Sequence, residues 1–239
     1  MVQVKVHNET EVGHSFRSNK VRSLFNVEDE RGAVFELDAE LPEMGGGSPE
    51  EWNIGLVVGP SGSGKSSIGR ELVRAGAKWW GPRWSKTDPI IDVIGKGLEF
   101  DDVTGALASV GLGDVPAWLR PHSVLSMGEQ FRANLARLCV EGGTTDTWVV
   151  DEFTSVVDRQ IARIGSMAFA KTFRRTGGQA VLLSCHHDII EWLVPDWCYD
   201  TGTGEMTYPK AQGSQGPAST STCGKSAGPT GTSLSHITI

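Results

Sequence analysis

Apolar and polar residues alternate through the first 45 positions of the chain and give way after residue 50 to short, solidly apolar runs. "VQVKVHN", "NKVRSLFNV" and "AVFELDAELP" alternate at period two, which predicts half-buried strands. "EMGGGSPEE", residues 43–51, is a Gly/Ser/Pro loop. "WNIGLVVG" then has the solid apolar character of a buried parallel strand and stops at glycine. Ile68, Leu72 and Val73 predict the inner face of a helix from about 65 to 77.

Residues 79–97 are rich in tryptophan and broken by prolines, with a strand expected at "PIIDVIG". Val103, Leu107 and Val110 recur at helical spacing and predict a short helix over 100–110. "TWVVDEF", 147–153, and "AVLLSC", 180–185, read as buried strands. Between them a long helix over 158–175 has Ile161, Ile164, Ala168 and Phe173 available to pack, closed by Gly177-Gly178. "DWCYD" and "EMTYP" predict a final hairpin. The alternation of strands and helices defines an α/β fold with a mostly parallel central sheet, preceded by an antiparallel β part. Residues 1–210 form the folded domain, and 211–239, Gly/Ser/Thr/Pro-rich, are expected to be a disordered tail.

One helix opens unusually. "VLSMGEQFRANLARLC", 124–139, sets Ser126, Gly128, Glu129 and Gln130 ahead of the apolar face Phe131, Leu135 and Leu138. Ser126 and Glu129 have the spacing of a capping box. The same helix end, rich in free amides, also suits an anion.

Composition narrows the class. The chain of 239 residues is 38% hydrophobic and 21% charged, with a net charge of −7, which is ordinary for a soluble domain and argues against a nonspecific nucleic-acid surface. No apolar run approaches the roughly 18 residues of a membrane span, and "MVQVKVHNE" lacks a signal-peptide core, so a cytoplasmic protein is expected. The four cysteines lack C-x-x-C spacing, and the adjacent side chains of "CHHD", 185–188, diverge, so neither a disulfide framework nor a zinc site is expected.

"GPSGSGKSS", 59–67, matches the phosphate-loop pattern G-x-x-x-x-G-K-[ST] between a buried strand and a helix. Backbone amides from Gly59 through Ser61, Gly62, Ser63, Gly64 and Ser67 can cradle a triphosphate, helped by the helix dipole. Lys65 reaches the β- and γ-phosphates and the Ser66 hydroxyl ligates Mg²⁺. A second "GKS", 224–226, lacks the upstream glycine and is a chance match. At the end of "WVVDEF", Asp151 is the candidate to hold Mg²⁺ and Glu152 the candidate to polarise a water aimed at the γ-phosphate.

Three further motifs follow in order: "LSMGEQ" before the acid pair, "SVVD" ending at Asp158 after it, and "CHHD" at the end of the next strand. With the phosphate loop, these resemble the ATP-binding-cassette (ABC) ATPases from about residue 20 to 200. The resemblance implies ATP and Mg²⁺ as ligands, ATP hydrolysis, and a head-to-tail homodimer. In such a dimer Ser126 and the Gly128 amide of one chain meet the γ-phosphate held by the other, and Glu129 binds the Ser126 amide and leaves its hydroxyl free. It assigns the D-loop to Asp158 and the switch histidine to His186, with His187 the alternative. Phe25 is the candidate to stack on adenine, or else a core residue. The tryptophans at 79, 80 and 84 pack a small helical subdomain over about 79–140, or a partner surface.

The pattern departs from the family in three places. No Gln lies between Ser66 and Glu129, where transporter members carry one, and Asp92 is the nearest substitute. Lys65 and Ser126 are only 61 positions apart, which leaves little room for the full membrane-coupling subdomain. Met127 and Glu129 replace the usual Gly and Gln. "FRSNKVRSLF", "LSMGEQFRANLARL" and "CHHDIIEWLVPDW" look closest to soluble ABC-type ATPases found elsewhere joined to a predicted acetyltransferase domain. A soluble ATPase with an unidentified protein partner is therefore the leading expectation, and membrane or nucleic-acid contact is not supported. The alternatives are the nucleotide-binding subunit of a membrane transporter, a P-loop small-molecule kinase, or an ATP-gated scaffold with little turnover.

Overall fold

A six-stranded sheet forms the centre of the molecule. The computed structural model describes residues 2–9, 15–25, 34–45, 52–143 and 146–209. The expected tail at 211–239 lies outside the described residues. The sheet comprises β3 (Ile54–Val58), β4 (Lys78–Trp79), β5 (Thr147–Val150), β6 (Gln179–Ser184), β7 (Trp197–Asp200) and β8 (Glu205–Thr207). Their spatial order is β4-β5-β6-β3-β7-β8. All neighbours are parallel except β7 and β8, which form the expected final hairpin. Every residue of β3 and β6 is buried, as the apolar runs in both require, and the polar ends of β6, Gln179 and Ser184, are buried with them.

Two antiparallel strands, β1 (Val2–Glu9) and β2 (Val34–Leu41), form a separate sheet. Val4, Val6, Ala39 and Leu41 turn inward and join a core cluster with Ile68 and Leu72, while the alternate positions face solvent.

The described part of "NKVRSLFNV", residues 19–25, is helical and not a strand. Phe16–Phe25 forms helix α1, because Ser15 and Ser18 exchange hydrogen bonds at its start and Arg17, Lys20, Arg22 and Leu24 favour the helix. "PIIDVIG" is also helical, as the short α3 (Ile90–Val93) that starts directly after Pro89.

The remaining helices are α2 (Lys65–Arg74), α4 (Phe100–Ser109), α5 (Val115–Trp118), α6 (Met127–Glu141), α7 (Arg159–Phe173) and α8 (Ile189–Leu193). Helix α2 stops earlier than expected, and Ile68 and Leu72 bury while Val73 is half-buried. Val103 and Leu107 of α4, with Val110 just beyond it, are buried as their spacing predicts. In α7 the inner face is Ala162, Gly165, Ser166, Phe169, Ala170 and Phe173, and Ile164 points out at 54% exposure. Glycine occupies position 165 because α6 and α7 approach closely there. A Cβ on Gly165 would come within 2.6 Å of Phe131 Cε1.

The tryptophans stabilise the region between β4 and α6. Trp80 packs edge-on against Trp148 at 5.2 Å. Trp84 lies between the His122 ring, stacked at 4.3 Å, and the Arg137 guanidinium at 4.7 Å, and its indole N–H donates to Asn134.

Candidate functional site

The carboxyl ends of β3, β5 and β6 open into one cavity of about 330 Å³, a volume within reach of small-molecule sites. Ser61, Gly62, Gly64, Lys65, Ser66 and Ser67 line it from the loop after β3 and the start of α2. Asp151 and Glu152 line it from the end of β5, and Ser184 and Cys185 from the end of β6.

Local backbone chemistry shapes the loop. Gly62 and Gly64 have φ of 81° and 87°, and Gly64 is the N-cap of α2. Left-handed geometry at these points turns successive amides into one concavity, which glycine alone adopts without steric cost. Lys65 Nζ donates to the carbonyls of Gly59 at 2.8 Å and Pro60 at 2.6 Å. An ammonium has three protons, so the third is left to face the cavity the side chain lines.

Ser66 and Asp151 meet directly, the Ser66 hydroxyl donating to Asp151 Oδ2 at 2.9 Å. Two oxygen donors side by side suit a hard divalent cation, so the residues present fit Mg²⁺. Glu152 is exposed and its backbone has φ 53°, while Thr154 has φ 69°. Left-handed geometry costs a non-glycine residue about 1–2 kcal/mol. The buried Phe153 between them holds the turn: its amide donates to Leu183 O, its carbonyl accepts from Ser184 Oγ, and its ring packs on Phe131 and Phe169. The acid pair is thereby fixed at the cavity mouth. On its other side lies a second cavity of about 300 Å³, lined in part by Trp80, Gln130 and Phe131.

Of the two candidate switch histidines, His187 is engaged. Its Nε2 lies 2.9 Å from Asp200 Oδ2. Partial burial works against ionisation of Asp200, yet the His187 ring and the amides of Gly202 and Thr203 hold its carboxyl below the usual range. His186 is half-buried, and its backbone amide donates to Ser184 Oγ. Asp188 pairs with Arg159, which draws the carboxyl below its usual range.

The N-terminus of α6 carries the capping box. Ser126 Oγ accepts from the Glu129 amide at 3.4 Å, and Glu129 Oε2 accepts from the Ser126 amide at 2.8 Å. Glu129 Oε2 also accepts from the Ser126 hydroxyl at 2.7 Å, so that hydroxyl is not left free as expected. These bonds, first from the hydroxyl and then from the amide, with Arg120 and Arg132 nearby, lower the Glu129 pKa and keep it ionised. Gly128 is buried against α7, where a Cβ would meet Ile161 Cδ1 at 2.8 Å. Gly128→Ala is expected to change the stability of the nucleotide-free protein by no more than about 1 kcal/mol, read by urea unfolding, because the Ile161 methyl can turn aside and alanine favours the helix.

Asp158 Oδ1 caps α7, accepting from the amides of Gln160 and Ile161 at 3.0 Å each. Phe25 lies on α1, 73% exposed, and does not line the cavity. Asp92 is exposed on α3 and does not line it either. Sequence reasoning gave Asp200 and Thr201 no part in the site, and considered Cys185 only as a metal ligand.

Beneath α6, His122 is held partly buried against Trp84, and desolvation lowers its pKa, with Arg137 adding to the effect and a backbone contact to Gln130 opposing it. A depressed histidine contributes stability present above its unfolded value and lost as pH falls through the folded one. The urea midpoint is expected to fall from pH 6.5 towards 5. His122→Phe, which keeps the stack, should flatten that fall. Glu129, Asp188 and Asp200 are depressed carboxyls and act only at lower pH.

The glycine loop, the acid pair and the parallel sheet define a P-loop nucleotide-binding fold. Within that class the chain has the fold of ABC ATPase cassettes. The cbiO1 protein of Clostridium perfringens, described as part of the ABC transporter complex cbiONQ, matches it with a TM-score of 0.50 at 16% identity, over 68% of this chain and 80% of that one. MJ0796, a bacterial ABC transporter cassette solved as a dimer, matches with a TM-score of 0.53 at 14% identity, over 74% and 92%. An inward-facing ABC transporter of metal-chelate type matches with a TM-score of 0.52 at 15% identity, over 75% and 78%. No protein-family model matches the chain, and no curated protein matches its sequence. Among the described residues, no helix is long and apolar enough to cross a membrane.

Proposed function

We propose that the protein binds ATP with Mg²⁺ and hydrolyses it as a head-to-tail homodimer. The observation that carries this reading is the single cavity in which the glycine loop and Lys65 face Asp151 and Glu152, with Ser66 bonded to Asp151. Amides of the loop and the Lys65 ammonium bind and orient the phosphates. Ser66 and Asp151 hold Mg²⁺, which when bound neutralises charge on the phosphate oxygens. Glu152, projecting at the cavity mouth, accepts a proton from the attacking water. His186 is the switch histidine, because Asp200 already engages His187. The exposed end of α6, where Ser126 is open to solvent, offers first-turn amides to the phosphate of a second copy. With the Ser126 hydroxyl engaged by Glu129, those amides rather than the side chain make this contact. A neighbour of the same fold solved as a dimer supports a dimeric assembly.

Phosphate release from MgATP, with EDTA as control, tests the activity. Release dependent on the metal supports it, and no release from the folded protein at millimolar MgATP counts against it. The second reading, a transporter's nucleotide-binding subunit, draws on the transporter neighbours. Copurification with a membrane protein would favour it over a soluble partner.

A further inference from the structure

The turn that joins β7 to β8 lies against the phosphate loop. Val58, the last residue of β3, is the register partner of Asp200, the last of β7. The next residue on each strand, Gly59 and Thr201, then meet closely. A Cβ on Gly59 would fall 2.0 Å from Thr201 Oγ1. Thr201 fastens itself twice to Val58, its amide donating to Val58 O at 2.9 Å and its hydroxyl at 3.0 Å.

That second bond fixes the direction of a third. Ser63 Oγ lies 2.5 Å from Thr201 Oγ1. A carbonyl cannot donate, so the one hydroxyl proton of Thr201 goes to Val58. Ser63 must therefore donate to Thr201, and the relay runs one way from Ser63 to Thr201 to Val58. The Ser63 hydroxyl proton is then committed to the fold, as is its amide, which donates to Pro60 O at 3.3 Å. Next to Thr201, Asp200 accepts from the Gly202 amide at 2.7 Å and engages His187 of the switch segment.

We infer that Thr201 is a positioning residue for the phosphate loop. Its hydroxyl locks Ser63 to β3 and keeps the intervening amides turned into the cavity, and this rests on the ATP reading above. Asp200, in the same turn, anchors the switch segment, so one turn braces both sides of the cavity. A valine at 201 matches threonine in shape but lacks the proton and lone pairs of the relay, whereas serine keeps them.

Calorimetric titration with MgATP compares the wild type with Thr201→Val, Thr201→Ser, Ser63→Ala and the Ser63→Ala/Thr201→Val double variant. Thr201→Val is expected to weaken binding about tenfold, as loss of an ordering hydrogen bond does, with Thr201→Ser within about twofold of wild type. Ser63→Ala should match Thr201→Val, and the double variant should bind no more weakly than the worse single one, because both cut the same relay. Wild-type affinity in Thr201→Val, or losses that multiply in the double variant, would overturn the inference. Hydrogen exchange of the 59–66 amides in nucleotide-free protein separates this from the ATP reading. Faster exchange in Thr201→Val and Ser63→Ala, but not in Thr201→Ser, supports the relay even if the wild type fails to bind ATP, and unchanged exchange refutes it. Should Thr201→Val not fold, Ser63→Ala breaks the relay from its other end.

Discussion

Glu152→Gln should reduce steady-state phosphate release by about 10²–10⁴-fold while leaving MgATP binding close to wild type. The amide is nearly isosteric with the carboxylate and cannot accept the proton of an attacking water. Glu152 stands at the cavity mouth on a left-handed turn held by Phe153. A glutamine there can keep the same backbone geometry, so the expected loss belongs to the chemistry and not to the fold. Single-turnover release of phosphate checks it, since a defect confined to product release would leave the first turnover fast. Loss of nucleotide binding in Glu152→Gln would move this residue from the proton-transfer role to a structural one.

Lys65→Ala has the other large expected effect, and it falls on binding. Lys65 already donates to Gly59 and Pro60, so its side chain both shapes the loop and presents positive charge to the cavity. Removing one partner of a desolvated charge pair costs about 2–5 kcal/mol, or roughly 30- to 5,000-fold in affinity, and for the half-buried Lys65 the lower part of that range applies. Calorimetry with MgATP should therefore show a Kd raised by about two decades. Thermal unfolding without nucleotide should change less, because the Pro60 carbonyl is exposed and can turn to water, and only the buried Gly59 carbonyl loses its partner. Undiminished affinity in Lys65→Ala would mean that the cavity does not take the triphosphate through this loop.

Much of the fold was legible because its strands are solidly apolar and bounded by glycine or acids. β3, β5, β6 and the β7–β8 hairpin follow from those runs alone. Legibility failed where local chemistry overrode the pattern. In 16–25 a serine pair starts a helix that a loose alternation disguised, and Pro89 starts another where "PIIDVIG" suggested a strand. Ile164 was expected inside by its size, but the closeness of α6 and α7 reserves the inner positions for residues such as Ala162 and Gly165.

The candidate site was legible as an ordered set of motifs, and the structure brings the loop, Asp151 and Glu152 to one cavity. Spacing could not reveal that the Ser126 hydroxyl turns to Glu129, since a capping box is compatible with either hydroxyl orientation. Nor could it show that His187, of the two adjacent histidines, meets Asp200 on another strand. Thr201 was hidden for the same reason: its partner Ser63 lies 138 residues away in sequence. The signal present was "DTGTGE", a polar Thr/Gly turn at the carboxyl end of a strand, where ligands gather in open parallel sheets.

The central claim is that a nucleotide bound in the glycine loop of one chain is closed over by the α6 end of a second. The mass of Glu152→Gln in solution, measured by sedimentation with and without saturating MgATP, tests it most directly. A single 25.7 kDa chain is expected without nucleotide and twice that mass with it, with a return to the single chain when Ser126→Arg is added. A Glu152→Gln protein that binds MgATP yet keeps the mass of one chain, or a dimer untouched by Ser126→Arg, would contradict it.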